Sequence, residues 1–129
     1  MAKYLTQDWL DENVRLAQSF PEREGATARL QYRITNMPEG GDCWFYWVID
    51  DGTLREATLG QDPDAELTLA VSYADNRLVQ EGTLDPSAAF MQGKLKVTGN
   101  MAKMMTLLPL TASAEYKAIQ EQIREITEY

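Results

Sequence analysis

The stretch Ala88–Leu110 constrains the fold of this 129-residue chain more than any other, because glycines separate two short helical patterns from a short strand pattern. Before it, Asp85 is suited to cap a helix that begins at Pro86, where the missing proline N–H costs nothing. Gly93 is suited to end that helix, and polar and apolar residues then alternate over 94–98 as in a half-buried strand. The stretch is therefore predicted to fold as helix, strand and helix.

The second helical pattern of this stretch carries an apolar stripe rich in methionine. Apolar residues recur at helical spacing until Pro109 ends the helix, and they are Met101, Met104, Met105 and Leu108. Methionine adapts to irregular spaces, so this face suits a surface that accepts a variable apolar guest. Helical spacing by itself favours ordinary core packing, and lining of a ligand site stays open as the alternative.

Four further strands and three further helices are predicted from periodicity and end signals. The strands are Thr27–Thr35, Cys43–Ile49, Thr53–Leu59 and Ala65–Tyr73, and the helices are Thr6–Phe20, a short one from Ser72 to Gly82, and one after Ser113 or Thr111. Asp50, Asp51 and Gly52 predict a hairpin turn, because Asp-Gly accommodates the positive φ of the favoured two-residue loops.

The strand predicted at Cys43–Ile49 is apolar on both faces, which is typical of a central strand or of one with a covered outer face. Trp44, Tyr46 and Val48 share one face, and Phe45, Trp47 and Ile49 share the other. Periodicity alone does not decide which face is internal. We choose Trp44 and Tyr46 as candidate interior residues and expect the Phe45, Trp47 and Ile49 face to form a homodimer contact. A covering loop over a central strand is the alternative, since large exposed apolar patches are uncommon on monomers.

The last predicted helix has a narrow apolar seam made of Tyr116, Ile119, Ile123 and Ile126. The seam is too short for an independent coiled coil, so we expect it to pack on its own domain. Pairing with a second subunit remains the alternative.

Charge and composition bound the function classes. The chain has 12 basic and 20 acidic residues, a net charge of -8, which argues against nucleic-acid partners and against unaided adsorption to anionic membranes. It has no apolar run of about 18 residues and no signal-like start, so we expect a soluble, cytoplasmic protein without stable membrane insertion. Its length predicts a single domain over residues 1–129. Cys43, the sole cysteine, excludes an internal disulfide.

The sequence contains few of the residue types that commonly act in catalysis. The chain contains no histidine, which excludes Ser-His-Asp and Cys-His nucleophiles and removes the usual metal ligand. Cys43 lies beside bulky aromatic residues with no adjacent base, so we expect an inert thiol. The acidic trio Asp62, Asp64 and Glu66 lacks the glycine and distant glutamate of a calcium loop and is interpreted as a solvated turn. We expect no catalytic residues, metal or cofactor; an enzyme using carboxylates alone is a minor alternative.

Several motifs carry a resemblance to a known family. Phe90 and Met91, the run GKLKVTGN at 93–100 and the Met-rich helix that follows it resemble the sterol carrier protein type-two, or sterol-binding domain, family. Three further segments resemble the family more weakly: Asp50–Gly52, Ala65–Ser72 and Gly82. The resemblance covers about 27–108 in the family's order.

This resemblance implies an α+β fold, in which a five-stranded, mainly antiparallel sheet carries helices on one face and encloses an apolar cavity. It implies non-catalytic binding of a fatty acid, fatty acyl chain, sterol-like molecule or isoprenoid between the Met-rich helices and the sheet. The candidate ligand-binding residues are Phe90, Met101, Met104, Met105, Leu108, Leu95, Val97, Leu69, Val71, Trp44 and Tyr46. The competing hypothesis is a homodimeric interaction module with no physiological lipid.

Overall fold

The computed structural model describes all residues from Met1 to Tyr129 and contains strands, α-helices and one 3₁₀ helix. The strands are β1 (Ala2–Lys3), β2 (Ala28–Thr35), β3 (Cys43–Asp50), β4 (Thr53–Leu59), β5 (Leu67–Ser72), β6 (Lys96–Gly99) and β7 (Thr127–Glu128). The helices are α1 (Gln7–Ala17), α2 (Tyr73–Gln80), α3 (Pro86–Met91), α4 (Met101–Leu107), the 3₁₀ helix (Leu108–Ala112) and α5 (Ala114–Ile126).

The main sheet has five strands in the order β4-β3-β2-β5-β6. β2 runs parallel to β5, and every other neighbouring pair is antiparallel. The predicted α+β fold with a five-stranded, mainly antiparallel sheet is therefore confirmed. Two short strands, β1 and β7, pair in parallel elsewhere and bring the ends of the chain together. Sequence periodicity missed these, because two residues are too few to show alternation.

Helix starts follow the local signals in the sequence. The side chains of Ser72 and Asp85 cap α2 and α3 by accepting backbone N–H groups of the first turn. Ser113 caps α5 in the same way, with its hydroxyl accepting from the N–H of Tyr116. These caps confirm the predicted starts and resolve the choice between Ser113 and Thr111.

The β3–β4 hairpin turns as predicted. Asp51 and Gly52 have φ values of 47° and 84°, the two positive angles that a tight two-residue hairpin turn requires. The ladder beyond it shifts register between Val48 and Ile49, which marks a β-bulge.

The two faces of the sheet differ in polarity. On β2, Ala28, Leu30 and Ile34 are buried under the helices, and Leu67, Leu69 and Val71 on β5 continue the same apolar face. The other face carries charge: the side chain of Arg29 bonds Asp62 at 2.8 Å, and that of Arg33 bonds Asp42 at 2.7 Å. The predicted alternation, with one polar face, is confirmed.

The turn after β4 is tied to the polar face through Gln31. Its side-chain amide donates to the carbonyls of Phe45 and Gly60, and its oxygen accepts the backbone N–H of Asp62 at 2.7 Å. Asp62 is only 9% exposed, which corrects the expectation of a solvated turn at this residue, whereas Asp64 is exposed as expected. Burial alone would raise the pKa of the Asp62 carboxyl, but the hydrogen bonds from Arg29 and from the backbone of Asp64 hold it below its usual value.

The apolar seam of α5 packs into the core of its own chain. Ile119 and Ile123 are 6% and 2% exposed, and Ile126 packs against the same cluster. At the end of the helix, Thr127 accepts the indole N–H of Trp9 in α1 at 2.9 Å. The seam is therefore not available for pairing with a second subunit, and the expectation that it packs within the domain is confirmed.

We expect Gly99→Ala to lower the free energy of unfolding by about 2 kcal/mol or more. The φ of Gly99 is +109°, an angle that an alanine can adopt only with backbone strain. A Cβ atom there would also lie 2.5 Å from the carbonyl oxygen of Glu66. Gly93→Ala is the control: its φ is +75°, no atom lies within 4 Å of the added Cβ, and only about 1 kcal/mol is expected. Urea unfolding measures both. Equal losses would contradict the proposed close approach at Gly99.

We expect Asp62→Asn to destabilise the protein at neutral pH and to matter progressively less in acid. The folded-state pKa of Asp62 is lowered, so its ionised form stabilises the fold above the usual aspartate range. That stabilisation is lost as pH falls through the folded-state pKa. Urea midpoints between pH 7 and pH 2 measure this, with exposed Asp64→Asn as the charge-matched control. A difference that does not depend on pH would contradict the ion pair.

Candidate ligand cavity

A cavity of about 200 Å³ lies between the apolar face of the sheet and the helices. Its floor comes from β2, β3, β4 and β5, and its roof from the five α-helices and the 3₁₀ helix. Twenty of its 27 lining residues are hydrophobic, so its interior suits an apolar guest.

Three aromatic side chains form the centre of the floor. The rings of Tyr32 and Phe45 stack with centroids 4.7 Å apart, and Trp47 lies 5.0 Å from Tyr32. Burial raises the pKa of the Tyr32 phenol above its usual value, so this group stays neutral. The centre of the floor is therefore aromatic and uncharged.

The structure brings some of the predicted site residues together and leaves others outside. Five of the predicted residues line the cavity: Leu69, Val71, Leu95, Met104 and Leu108. Six do not: Phe90, Val97, Met101, Met105, Trp44 and Tyr46. Val97 instead packs half-buried against the neighbouring apolar cluster that contains Leu67 and Met104.

The methionine stripe is turned relative to the prediction. Met104 is buried, but Met101 and Met105 are 42% and 49% exposed. The residues of this segment that line the cavity are Met104, Leu107, Leu108, Leu110 and Thr111. The α-helix ends at Leu107, and the chain continues through Pro109 as a 3₁₀ helix, which adds Leu110 and Thr111 to the lining.

The β3 strand also faces the opposite way from our assignment. Phe45, Trp47 and Ile49 line the cavity, so they are unavailable as a homodimer face. Trp44 and Tyr46 lie on the polar face, where the guanidinium of Arg33 stands 5.3 Å from the Trp44 ring. Pairing with β2 decides the orientation, because Phe45 stands opposite Tyr32 in the antiparallel register.

Sequence reasoning missed the part of the lining that comes from α1, α2 and α5. Trp9 and Phe20 belong to an apolar stripe of the helix predicted at Thr6–Phe20. Ile119 and Ile123 belong to the apolar seam of the last predicted helix. Those stripes indicated only burial. Whether a buried residue meets packed atoms or an open space depends on how the helices are arranged.

A few polar groups interrupt the lining. The amide of Asn13 donates to the carbonyl of Trp9 at 2.7 Å, and that of Asn76 donates to the Tyr4 hydroxyl. Two buried donors of the lining residues have no partner: the indole N–H of Trp47 and the amide nitrogen of Gln80. Buried donors are usually satisfied, so these two indicate places where a guest's oxygen atoms would be stabilised.

Residues 13–111 match the model of the SCP-2 sterol transfer family. The chain belongs to that family. No helix is both long and apolar enough to cross a membrane.

The sequence is also similar to individual proteins with lipid-binding names. The chain is 32% identical over 77 residues to sterol carrier protein 2 of Oryctolagus cuniculus, which is 59% of this chain but 14% of that protein. It therefore matches only a small part of the curated sterol carrier proteins. A fatty acid-binding protein of Yarrowia lipolytica is 24% identical over 109 residues, 84% of each chain.

A solved member of the family has the same fold. A crystal structure of sterol carrier protein 2 superposes with a TM-score of 0.72 at 21% identity, covering 92% of this chain and 98% of the other. At that identity, the likeness concerns the fold.

We expect Phe45→Ala to lower the free energy of unfolding by about 3 kcal/mol or more, because its buried ring stacks on Tyr32. Tyr46→Ala, on the neighbouring residue, is expected to cost less, since Tyr46 is half-buried on the polar face and bonds only Glu56. Urea unfolding of both variants tests which face of β3 is internal. A larger loss for Tyr46→Ala would reverse the assignment.

Proposed function

We propose that residues 1–129 form one non-catalytic domain that binds the apolar part of a single lipid and carries it. The observation on which this depends is the cavity, whose lining is three-quarters hydrophobic and lies between sheet and helices. Membership of the SCP-2 sterol transfer family supports the proposal.

The driving force would be burial of methylene groups. Each buried CH₂ contributes about 0.8 kcal/mol, so eight to ten of them offset the cost of immobilising a ligand. The cavity of about 200 Å³ is larger than the roughly 150 Å³ that holds benzene in an engineered core. It is smaller than the roughly 300 Å³ at which ligand pockets usually begin, so a long chain would displace part of the roof.

The roof can adapt because it includes flexible side chains. Met104 and Leu107 from α4, with Leu108 and Leu110 from the 3₁₀ helix, form one continuous part of it. Methionine changes shape at little cost, and a 3₁₀ helix has poorer hydrogen-bond geometry than an α-helix. Displacement of this segment would enlarge the cavity without disturbing the sheet.

Among the ligands considered, we favour a flexible chain, such as a fatty acid or fatty acyl group, over a sterol-like molecule or isoprenoid. A chain can take the shape of a small cavity, whereas fused rings require their full width at once. The Yarrowia lipolytica relative, which is called a fatty acid-binding protein and aligns over 84% of both chains, supports this choice.

We further propose that the domain works in the cytoplasm. Cys43 is a free thiol, and burial raises its pKa, so it stays protonated and unreactive, which suits a reducing compartment. Neither surface expected to form a homodimer contact is exposed. The face of Phe45, Trp47 and Ile49 lines the cavity, and the apolar seam of α5 packs on the core.

Met104→Trp and Met105→Trp form a matched pair of variants on adjacent residues. Met104 lines the cavity and Met105 is 49% exposed, so only the first indole would occupy the space of a guest. We expect Met104→Trp to weaken binding of a fluorescent long-chain fatty acid by about tenfold or more, which is about 1.4 kcal/mol. Met105→Trp should leave binding unchanged.

Titration to saturation, with a stoichiometry near one, is the measurement. Thermal melts of the ligand-free variants serve as the control: filling an open space leaves the melting temperature unchanged or raises it, whereas overpacking costs about 1 to 3 kcal/mol. Non-saturable partitioning in the unmodified protein would refute the proposed function. Equal effects of the two variants would place the lipid elsewhere.

A further inference from the structure

A second pocket, of about 360 Å³, adjoins the apolar cavity. The two spaces share lining residues from α2, α3, the 3₁₀ helix and α5, namely Val79, Pro86, Thr111, Tyr116 and Gln120. Only three of the ten residues around the second pocket are hydrophobic, compared with twenty of 27 around the first. An apolar chamber therefore lies beside a polar one, an arrangement that suits a molecule with an apolar tail and a polar head.

The second pocket is positively charged in a strongly acidic protein. Lys117 and Arg124, both on α5, line it. Its single acid, Asp85, is engaged as the cap of α3, where one carboxylate oxygen accepts the N–H groups of Ser87 and Ala88. Two positive charges thus oppose one negative charge here, although the chain carries a net charge of -8.

These two cations lack partners. Five basic side chains elsewhere form ion pairs, and Lys117 and Arg124 are not among them. Arg124 is half-buried and lies against Gly82, with Nη1 3.1 Å from the position that a Cβ atom would occupy there. A larger residue at Gly82 would displace the guanidinium. An unpaired, partly desolvated guanidinium beside a cavity is suited to bind a carboxylate or phosphate.

Gln80 provides an independent observation. Gln80 is 7% exposed and lines the apolar cavity, and its side-chain amide nitrogen has no hydrogen-bond acceptor. It directly follows Val79, which lines both spaces. An unsatisfied buried amide destabilises the empty protein, and an oxygen atom of a guest would relieve that cost.

We propose that these residues form a head-group subsite, in which Arg124 and Lys117 bind the acidic head of an amphipathic lipid and Gln80 donates to one of its oxygen atoms. The inference rests on the proposed function, since the tail occupies the apolar cavity. It goes beyond that function by making an anionic head, carboxylate or phosphate, a determinant of specificity. Neutral lipids of the same chain length bind more weakly.

The test uses three ligands with the same sixteen-carbon chain: hexadecanoic acid, hexadecyl phosphate and hexadecanol. Each displaces a fluorescent acyl probe from the purified chain. We expect at least one of the acidic ligands to bind about tenfold or more tightly than the alcohol, because hydrogen bonds to charged groups are the stronger ones. Whichever acid binds better identifies the head.

The variant Arg124→Gln with Lys117→Gln should abolish this preference and leave the affinity for hexadecanol unchanged. Arg55→Gln with Lys96→Gln is the matched control, since it removes the same charge from exposed positions outside both pockets. It should preserve the preference. Gln80→Leu should weaken binding of the acidic ligand and raise the urea midpoint of the ligand-free protein.

Three results would overturn the inference. Saturable binding of all three ligands with equal affinity would reject the subsite while the proposed function stands. Loss of the preference in the Arg55 and Lys96 control would assign it to net charge. Saturable binding of none of the ligands would reject the proposed function and the subsite together.

Discussion

The pairing of β2 with both of its neighbours is the constraint on which the rest of the structure depends. β2 lies in the middle of the sheet, antiparallel to β3 and parallel to β5. This register places Tyr32 beside Phe45 on one side and Leu69 on the other, so the centre of the cavity floor is assembled from three strands. A slip of one residue would turn the polar face, with Arg29 and Arg33, toward the helices.

The space above that floor is incompletely filled because of how the roof elements are arranged. Its elements come from both ends of the chain, and they meet the sheet at different places: α1 packs on β4, while α4 packs on β5 and β6. Close packing is the rule in protein interiors, so a space lined by apolar side chains forfeits dispersion contacts. A bound chain would restore those contacts, which links the lower stability of the empty fold to its proposed use.

Charge is distributed unevenly around this space. The wall of aromatic and aliphatic side chains ends where α5 presents Lys117 and Arg124. Burial and the nearby Asp85 carboxylate raise the pKa of Tyr116, at the junction of the two spaces, to about 12, so the phenol is neutral there. A hydrophobic interior next to a cationic pocket would orient an amphipathic guest, with its tail in the cavity and its head beside α5.

The sequence alone determined the local features: the caps at Ser72 and Asp85, the positive-φ turn at Asp51 and Gly52, and the alternating strands. These depend on contacts within a few residues, which a pattern records. Tertiary structure alone decided which face of β3 lies inside, how α4 is turned, and that the cavity lined by Gln80 adjoins the pocket lined by Arg124. An apolar residue is equally apolar on either face, so only pairing and packing with distant segments can make that choice.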